Sequence, residues 1–240
     1  MLVVKSFFTY SRRKQRFNKL ESYLTNFQQD DYIKNYVAYN RNYQINNRSG
    51  FNSFVIFDTE STGLNPKSDS LLSIGAVKII NGKILPKESL DLYFNDDIHN
   101  NNSPIHIHQI RKTDLKTNGI SIKEGLTHFL QFIDNSVLVA HHAKFDCELV
   151  NKYLNQLFGI YLLNPILDTR KIAIRLDRKG MHTDALTEKN YSLDQLCKTF
   201  NITPVGRHNA LGDAYTTAIL FLKILKKLEI RDIKLNKLLI

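Results

Sequence analysis

From residue 52 onward the hydrophobic residues follow two alternating periods, and this alternation constrains the fold more than any other feature of the chain. Runs with strand character lie at 53–58, 71–80 and 83–94. An amphipathic helical pattern covers about 122–134, followed by a short buried strand, V-L-V-A, at 137–140. A helix is expected from about 144 to 158, and a further short strand at 165–169. Helices then cover 169–176, 192–200 and 210–229. The order β-β-β-α-β-α-β-α-α predicts an α/β fold with a mixed sheet and helices on its faces.

The first of these strands ends unusually. F-V-I-F-D-T-E-S-T-G at 54–63 runs from strand-forming residues straight into Asp58 and Glu60. Residues two apart on a strand point to the same face. Two like charges placed that close repel and raise each other's pKa, so folding gains nothing from them. A divalent cation reverses the balance, because magnesium and manganese take hard oxygen ligands. The alternative is a strand that simply runs out into a solvated acidic loop. Further acids recur at element ends. Asp146 falls in the first turns of the helix after V-L-V-A, and Asp213 opens the final helix with His208 five residues before it. Asp213 alone would also suit the positive end of a helix dipole.

Taken together, F-D-T-E-S-T-G-L at 57–64, H-H-A-K-F-D at 141–146 and R-H-N-A-L-G-D-A at 207–214 resemble the three motifs of the DEDDh exonucleases. This DnaQ-like family includes the proofreading epsilon subunit of bacterial DNA polymerase III. L-L-S-I-G-A-V at 71–77 and Y-S-L-D-Q-L-C at 191–197 also look like family segments, and the resemblance spans roughly residues 53–225. The third motif separates subfamilies. The tyrosine variant would place Tyr at the position of Asn209, whereas His208 sits where the histidine variant requires it. Ser61 stands where Thr is usual and His142 where Asn is usual.

The resemblance implies a ribonuclease H-like fold and hydrolysis of phosphodiester bonds at single-stranded DNA 3′ ends, releasing nucleoside 5′-monophosphates. It implies two divalent cations, Mg2+ or Mn2+, about 3.5–4 Å apart. Asp58 would be their most central ligand, Glu60 and Asp213 would complete one site, and Asp146 would act on the second ion. His208 would accept the proton of the attacking water, a task suited to imidazole. Thr59 would offer its backbone amide to the terminal nucleotide. Leu64 and Phe145 would pack against terminal bases, with core packing as the alternative for both. Two other readings stay open: trimming of RNA 3′ ends, as in the RNase T and oligoribonuclease branches, and a non-catalytic nucleic-acid-binding module. The choice between DNA and RNA rests on a 2′-OH contact that no motif reveals.

Charge supports a polyanionic partner. The formal net charge is +10, and residues 1–50 hold nine Lys/Arg against three Asp/Glu. These residues are read as a basic N-terminal extension of helical character ending in a polar linker at 42–50. A nucleic-acid or polymerase contact is expected there. Residues 51–230 form the expected exonuclease domain, and 231–240 a tail. Leu20, Tyr23, Leu24 and Phe27 fall at helical spacing within the extension. Two cysteines, Cys147 and Cys197, lack C-x-x-C spacing and read as reduced buried thiols. No apolar run is long enough for a membrane span, and the N-terminus lacks the order of a secretory signal, so a cytoplasmic protein is expected. Q-L-C-K-T-F at 195–200 looks like a sliding-clamp peptide, but its apolar residues are expected in the core. His99, His106 and His108 fall in a polar loop, with a supporting role near the 3′ end conceivable for Thr113. The 170–190 stretch reads as a substrate-side loop.

Overall fold

The computed structural model describes residues 31–41, 53–95, 119–177, 188–230 and 238–239. The Leu20–Phe27 stripe, the linker at 42–50, His99, His106, His108, Thr113, residues 178–187 and 231–237 lie outside them.

Among the described residues, five strands form one sheet: β1 (Ser53–Ser61), β2 (Leu71–Ile80), β3 (Lys83–Tyr93), β4 (Val137–Ala140) and β5 (Ile166–Asp168), in the order β3-β2-β1-β4-β5. The first three form an antiparallel meander, while β1, β4 and β5 run parallel. Helices α1 (Asp31–Arg41), α2 (Ile122–Ile133), α3 (Ala143–Phe158), α4 (Thr169–Asp177), α5 (Leu193–Thr199) and α6 (Ala210–Ile230) complete the expected ribonuclease H-like arrangement. A 3-10 turn at Glu188–Tyr191 precedes α5.

The sheet separates two cores. Val55 and Phe57 of β1, with Ile74 and Ala76 of β2, pack against α2 and α3. Phe54 and Ile56, with Val77 and Ile79, pack against α4, α5 and α6. Strict alternation along both strands accounts for the split. The parallel strands β4 and β5 are short and buried, as a sheet covered on both faces requires. On the edge strand β3, Pro86 falls where the register with β2 shifts beyond Val77, so its missing N–H breaks no ladder bond.

Local chemistry sets the ends of the helices. Ser121 accepts a hydrogen bond from the Glu124 amide at the start of α2, and Ser192 does the same for Gln195 at α5. Leu196 and Cys197 of the clamp-like stretch are buried and Phe200 packs partly buried against the same core, so its apolar residues face inward. Cys147 and Cys197 are free thiols, both buried.

Helix α1 lies before residue 50 yet docks on the folded body. Ile33, Tyr36 and Val37 are buried in the α2–α3 core. The Tyr36 hydroxyl donates to Asn164 Oδ1 and accepts from the Leu163 amide at 2.9 Å. No helix among the described residues is long and apolar enough to cross a membrane.

Candidate active site

The acids sit on an overhang. β4 pairs with β1 only as far as Ile56, opposite Val139. β1 continues beyond the expected 53–58 run to Ser61, because β2 still pairs with it: Asp58 opposite Gly75, Thr59 opposite Ile74 and Glu60 opposite Ser73. The tip is therefore held on one side and open on the other. Phe54 and Ile56 face the α6 side, and alternation puts Asp58 and Glu60 on that same side.

Gly75 allows α6 to reach them. A Cβ on Gly75 would lie 2.0 Å from the Leu211 amide nitrogen, so the first turn of α6 rests directly on the β2 backbone. Gly212 makes a second close approach, where a Cβ would lie 2.2 Å from the Gly206 carbonyl oxygen. These two contacts seat Asp213 beside the β1 tip. One carboxylate oxygen from each of Asp58, Glu60 and Asp213 lies within 4.8 Å of the other two.

Asp146 arrives from the opposite face, in the first turn of α3. Its Oδ1 accepts both the Thr59 amide (3.1 Å) and the Thr59 hydroxyl (2.8 Å). The Thr59 side chain alternates away from Asp58 and Glu60, toward α3, and both its hydroxyl and its amide bond Asp146. The turn into α3 places His142 at φ 70, a left-handed position that Asn and His tolerate better than most residues. His208 is exposed, at φ 63, and its amide donates to Asp213 Oδ2 at 3.3 Å. Leu64 is 92% exposed, which excludes core packing for it, whereas Phe145 is half-buried against the α2–α3 core. The Leu64 loop is pinned to α3: Lys152 donates to the Asp69 carbonyl at 2.6 Å, and the Tyr153 hydroxyl accepts from the Leu71 amide.

The electrostatics fit a cation site. Burial, then the carboxylates of Asp146, Asp213 and Glu60, hold the Asp58 carboxyl well above the ordinary range, with Arg207 opposing. Burial raises Asp146 to about 7 against its two Thr59 bonds. Burial also raises Asp213, against its Arg207 ion pair. Buried oxygens that resist ionisation in each other's company are what a hard divalent ion would stabilise. The donor set therefore fits a hard divalent cation.

The sign of the pH dependence follows. These carboxyls titrate higher folded than unfolded, where Asp ionises near pH 3.9. Between about pH 4 and 7 the folded state holds more protons, so metal-free stability falls as pH rises through that window. Bound cations remove this penalty and compete with those protons. The Tm gain given by saturating Mg2+ or Mn2+ is expected to be near zero at pH 5 and to reach roughly 5–10 °C at pH 8. Thermal melts with and without EDTA check it, and a gain that does not change with pH would remove the cation site from this cluster.

One feature escaped the sequence reading. Arg207 makes a two-pronged contact with Asp194, Nε to Oδ1 at 2.6 Å and Nη2 to Oδ2 at 3.1 Å, while its Nη1 pairs with Asp213. The R-H-N-A-L-G-D stretch shows a cation six residues before an acid, but nothing in it reveals the third partner. His141, the first residue of the second motif, is a structural tie. Its ring bonds Thr169 Oγ1 and the Tyr191 carbonyl, and burial pushes it down to about 4.

Comparison with known proteins agrees with this geometry. A family described as "Exonuclease" matches residues 55–221. The DNA polymerase III PolC-type protein of Thermotoga petrophila is 33% identical over 178 residues, covering 74% of this chain but only 12% of that protein. The DNA polymerase III subunit epsilon of Aquifex aeolicus is 32% identical over 181 residues, covering 73% of this chain and 82% of that protein. Escherichia coli exonuclease I in complex with a dT13 oligonucleotide shares the fold, with a TM-score of 0.61 at 16% identity over 75% of this chain and 42% of that one. The ribonuclease H-like sheet, the acids at its open tip and the match over residues 55–221 lead to one assignment: the chain belongs to the exonuclease family.

Proposed function

We propose that this chain is a 3′→5′ exonuclease of the DEDDh type. It would hydrolyse phosphodiester bonds at single-stranded DNA ends and release nucleoside 5′-monophosphates. The observation that carries the reading is the convergence of Asp58, Glu60 and Asp213 at one strand tip, with the backbone amide of His208 donating to Asp213. Two divalent cations, when bound, would supply Lewis-acid stabilisation of the charge that develops on the phosphate. Asp58, Glu60 and Asp213 would hold the first. Asp146, whose charge acts on Asp58, would help hold the second. The exposed imidazole of His208 would take a proton from the attacking water. The exposed Leu64, on its pinned loop, and the half-buried Phe145 would pack against terminal bases.

The relatives support a setting beside a replicative polymerase, in the cytoplasm, with the enzyme removing misincorporated nucleotides. The basic character of residues 1–50 supports a contact there with nucleic acid or the polymerase, and α1 within it is part of the folded body.

Oligonucleotides labelled at either end, offered as single-stranded DNA, matched duplex, mismatched duplex and RNA, test the reading. Loss of the 3′ label first, in Mg2+ or Mn2+, is expected, with single-stranded and mismatched DNA ends preferred. Faster release from RNA would reassign the substrate. His208→Ala should slow release about 10²- to 10⁴-fold without unfolding the chain. Full activity in that variant would remove His208 from the proton transfer.

A further inference from the structure

Beyond the ligands themselves, the geometry points to Arg207 as a positioning residue. We propose that it divides its guanidinium between Asp194 and Asp213 and thereby sets how strongly the acidic cluster takes a divalent cation. The inference rests on the cation site proposed above.

Three observations carry it. The planar fork of Arg207 is fully engaged, with one edge on both oxygens of Asp194 and the remaining nitrogen on Asp213. Such two-pronged contacts fix geometry as well as charge. Asp213 has its other oxygen bonded to the His208 amide, so both of its oxygens are claimed from the 207–208 segment. Asp194 sits in the first turn of α5, whose Leu193, Leu196 and Cys197 are buried. Arg207 is thus braced from a fixed element that contributes nothing to the acidic cluster.

The consequence is a competition. A guanidinium on Asp213 neutralises the carboxylate that a cation would use. Asp194 draws the same guanidinium away from it. The side chain of Asp194 is 55% exposed, so solvent weakens its pull, whereas that of Asp213 is 10% exposed and feels the guanidinium more strongly. Breaking the pair from its two ends therefore has opposite effects. Arg207→Gln removes the competing charge. Asp194→Asn leaves the charge and lets it settle on Asp213. The brace also fixes the peptide that holds His208 in its left-handed conformation, so either change should loosen the imidazole.

Calorimetric titration of the full chain with Mn2+ tests this directly, without turnover. Arg207→Gln is expected to bind Mn2+ about tenfold more tightly than the parent, and Asp194→Asn about threefold more weakly. Both variants should lose kcat, by about tenfold or more, with KM changed little. A purely structural ion pair would shift Mn2+ affinity in the same direction in both variants, or in neither, and either result would overturn the proposal. If the parent chain itself bound no Mn2+, the cation site would fail first. If it bound but the variants did not diverge, only the role of Arg207 would fail. Thermal melts identify any variant that has unfolded. Arg207→Lys keeps the charge and loses the fork, and is expected to restore parental Mn2+ affinity within about threefold but not kcat; tight binding in this variant as well would count against the charge competition.

Discussion

Asp58→Asn is expected to abolish nucleotide release while making the metal-free protein more stable. The two effects share one cause. Asp58 lies at the centre of the acids, and its carboxyl is held well above the ordinary range by burial and by Asp146, Asp213 and Glu60. Asparagine keeps the shape and removes the charge that the fold opposes. The Tm of the metal-free chain should rise by roughly 3–6 °C at pH 8. Losing the most central of the acids that would hold the cations should lower the rate by at least about 10³-fold. Melting curves in EDTA and release of a 3′ label check the two halves separately. A variant at full rate would move the reacting centre elsewhere. A variant without a stability gain would show that little repulsion is stored at the strand tip.

Gly75→Ala is expected to be nearly as damaging to catalysis, although it touches no ligand. The added methyl would meet backbone atoms of Ala210 and Leu211, which no side-chain rotation can relieve. Helix α6 has to lift from β2, taking Asp213 and His208 away from Asp58. A displacement near 1 Å corresponds to about a 10²-fold loss of rate. Overpacking of this kind should also lower the Tm by roughly 5–10 °C. Steady-state kinetics beside thermal melts would separate the two losses. Parental rate and Tm together would mean that α6 does not rest on this strand.

How much of this was legible beforehand depends on the range of the interactions. The runs at 53–58, 71–80 and 137–140 identified their strands because burial on both faces leaves mostly apolar residues there, with V-L-V-A wholly so. The end of β1 was read three residues short. Asp58 and Glu60 look like a strand's termination until their pairing with Gly75 and Ser73 is known, and pairing is not local. Same-face placement of the two acids followed from alternation alone. The bond between Thr59 and Asp146 was hidden for the complementary reason. The neighbours of Thr59 in sequence suggested a substrate contact, but the partner that takes its amide, Asp146, lies 87 positions away on another element. Arg207 and Asp194 belong to the same class, since no spacing rule brings the first turn of α5 to the loop before α6. Leu64 stayed open between a terminal base and the core, because the short polar turn around it carries no period, and its exposure in the fold decides against the core. Helix α1 was expected as helical character but not as part of the core. Its Tyr36 anchor depends on Asn164, far along the chain.

The acids of the proposed site are synthesised far apart in the chain. Asp58 and Glu60 leave the ribosome early, but they face no complete set of partners until the helix bearing Asp213 has settled on the β2 glycine. A half-made chain therefore holds acids without a cutting centre. The acidic cluster is complete only once α6 rests on β2, after all five strands have been made, so a chain lacking that helix would carry Asp58 and Glu60 without their third partner.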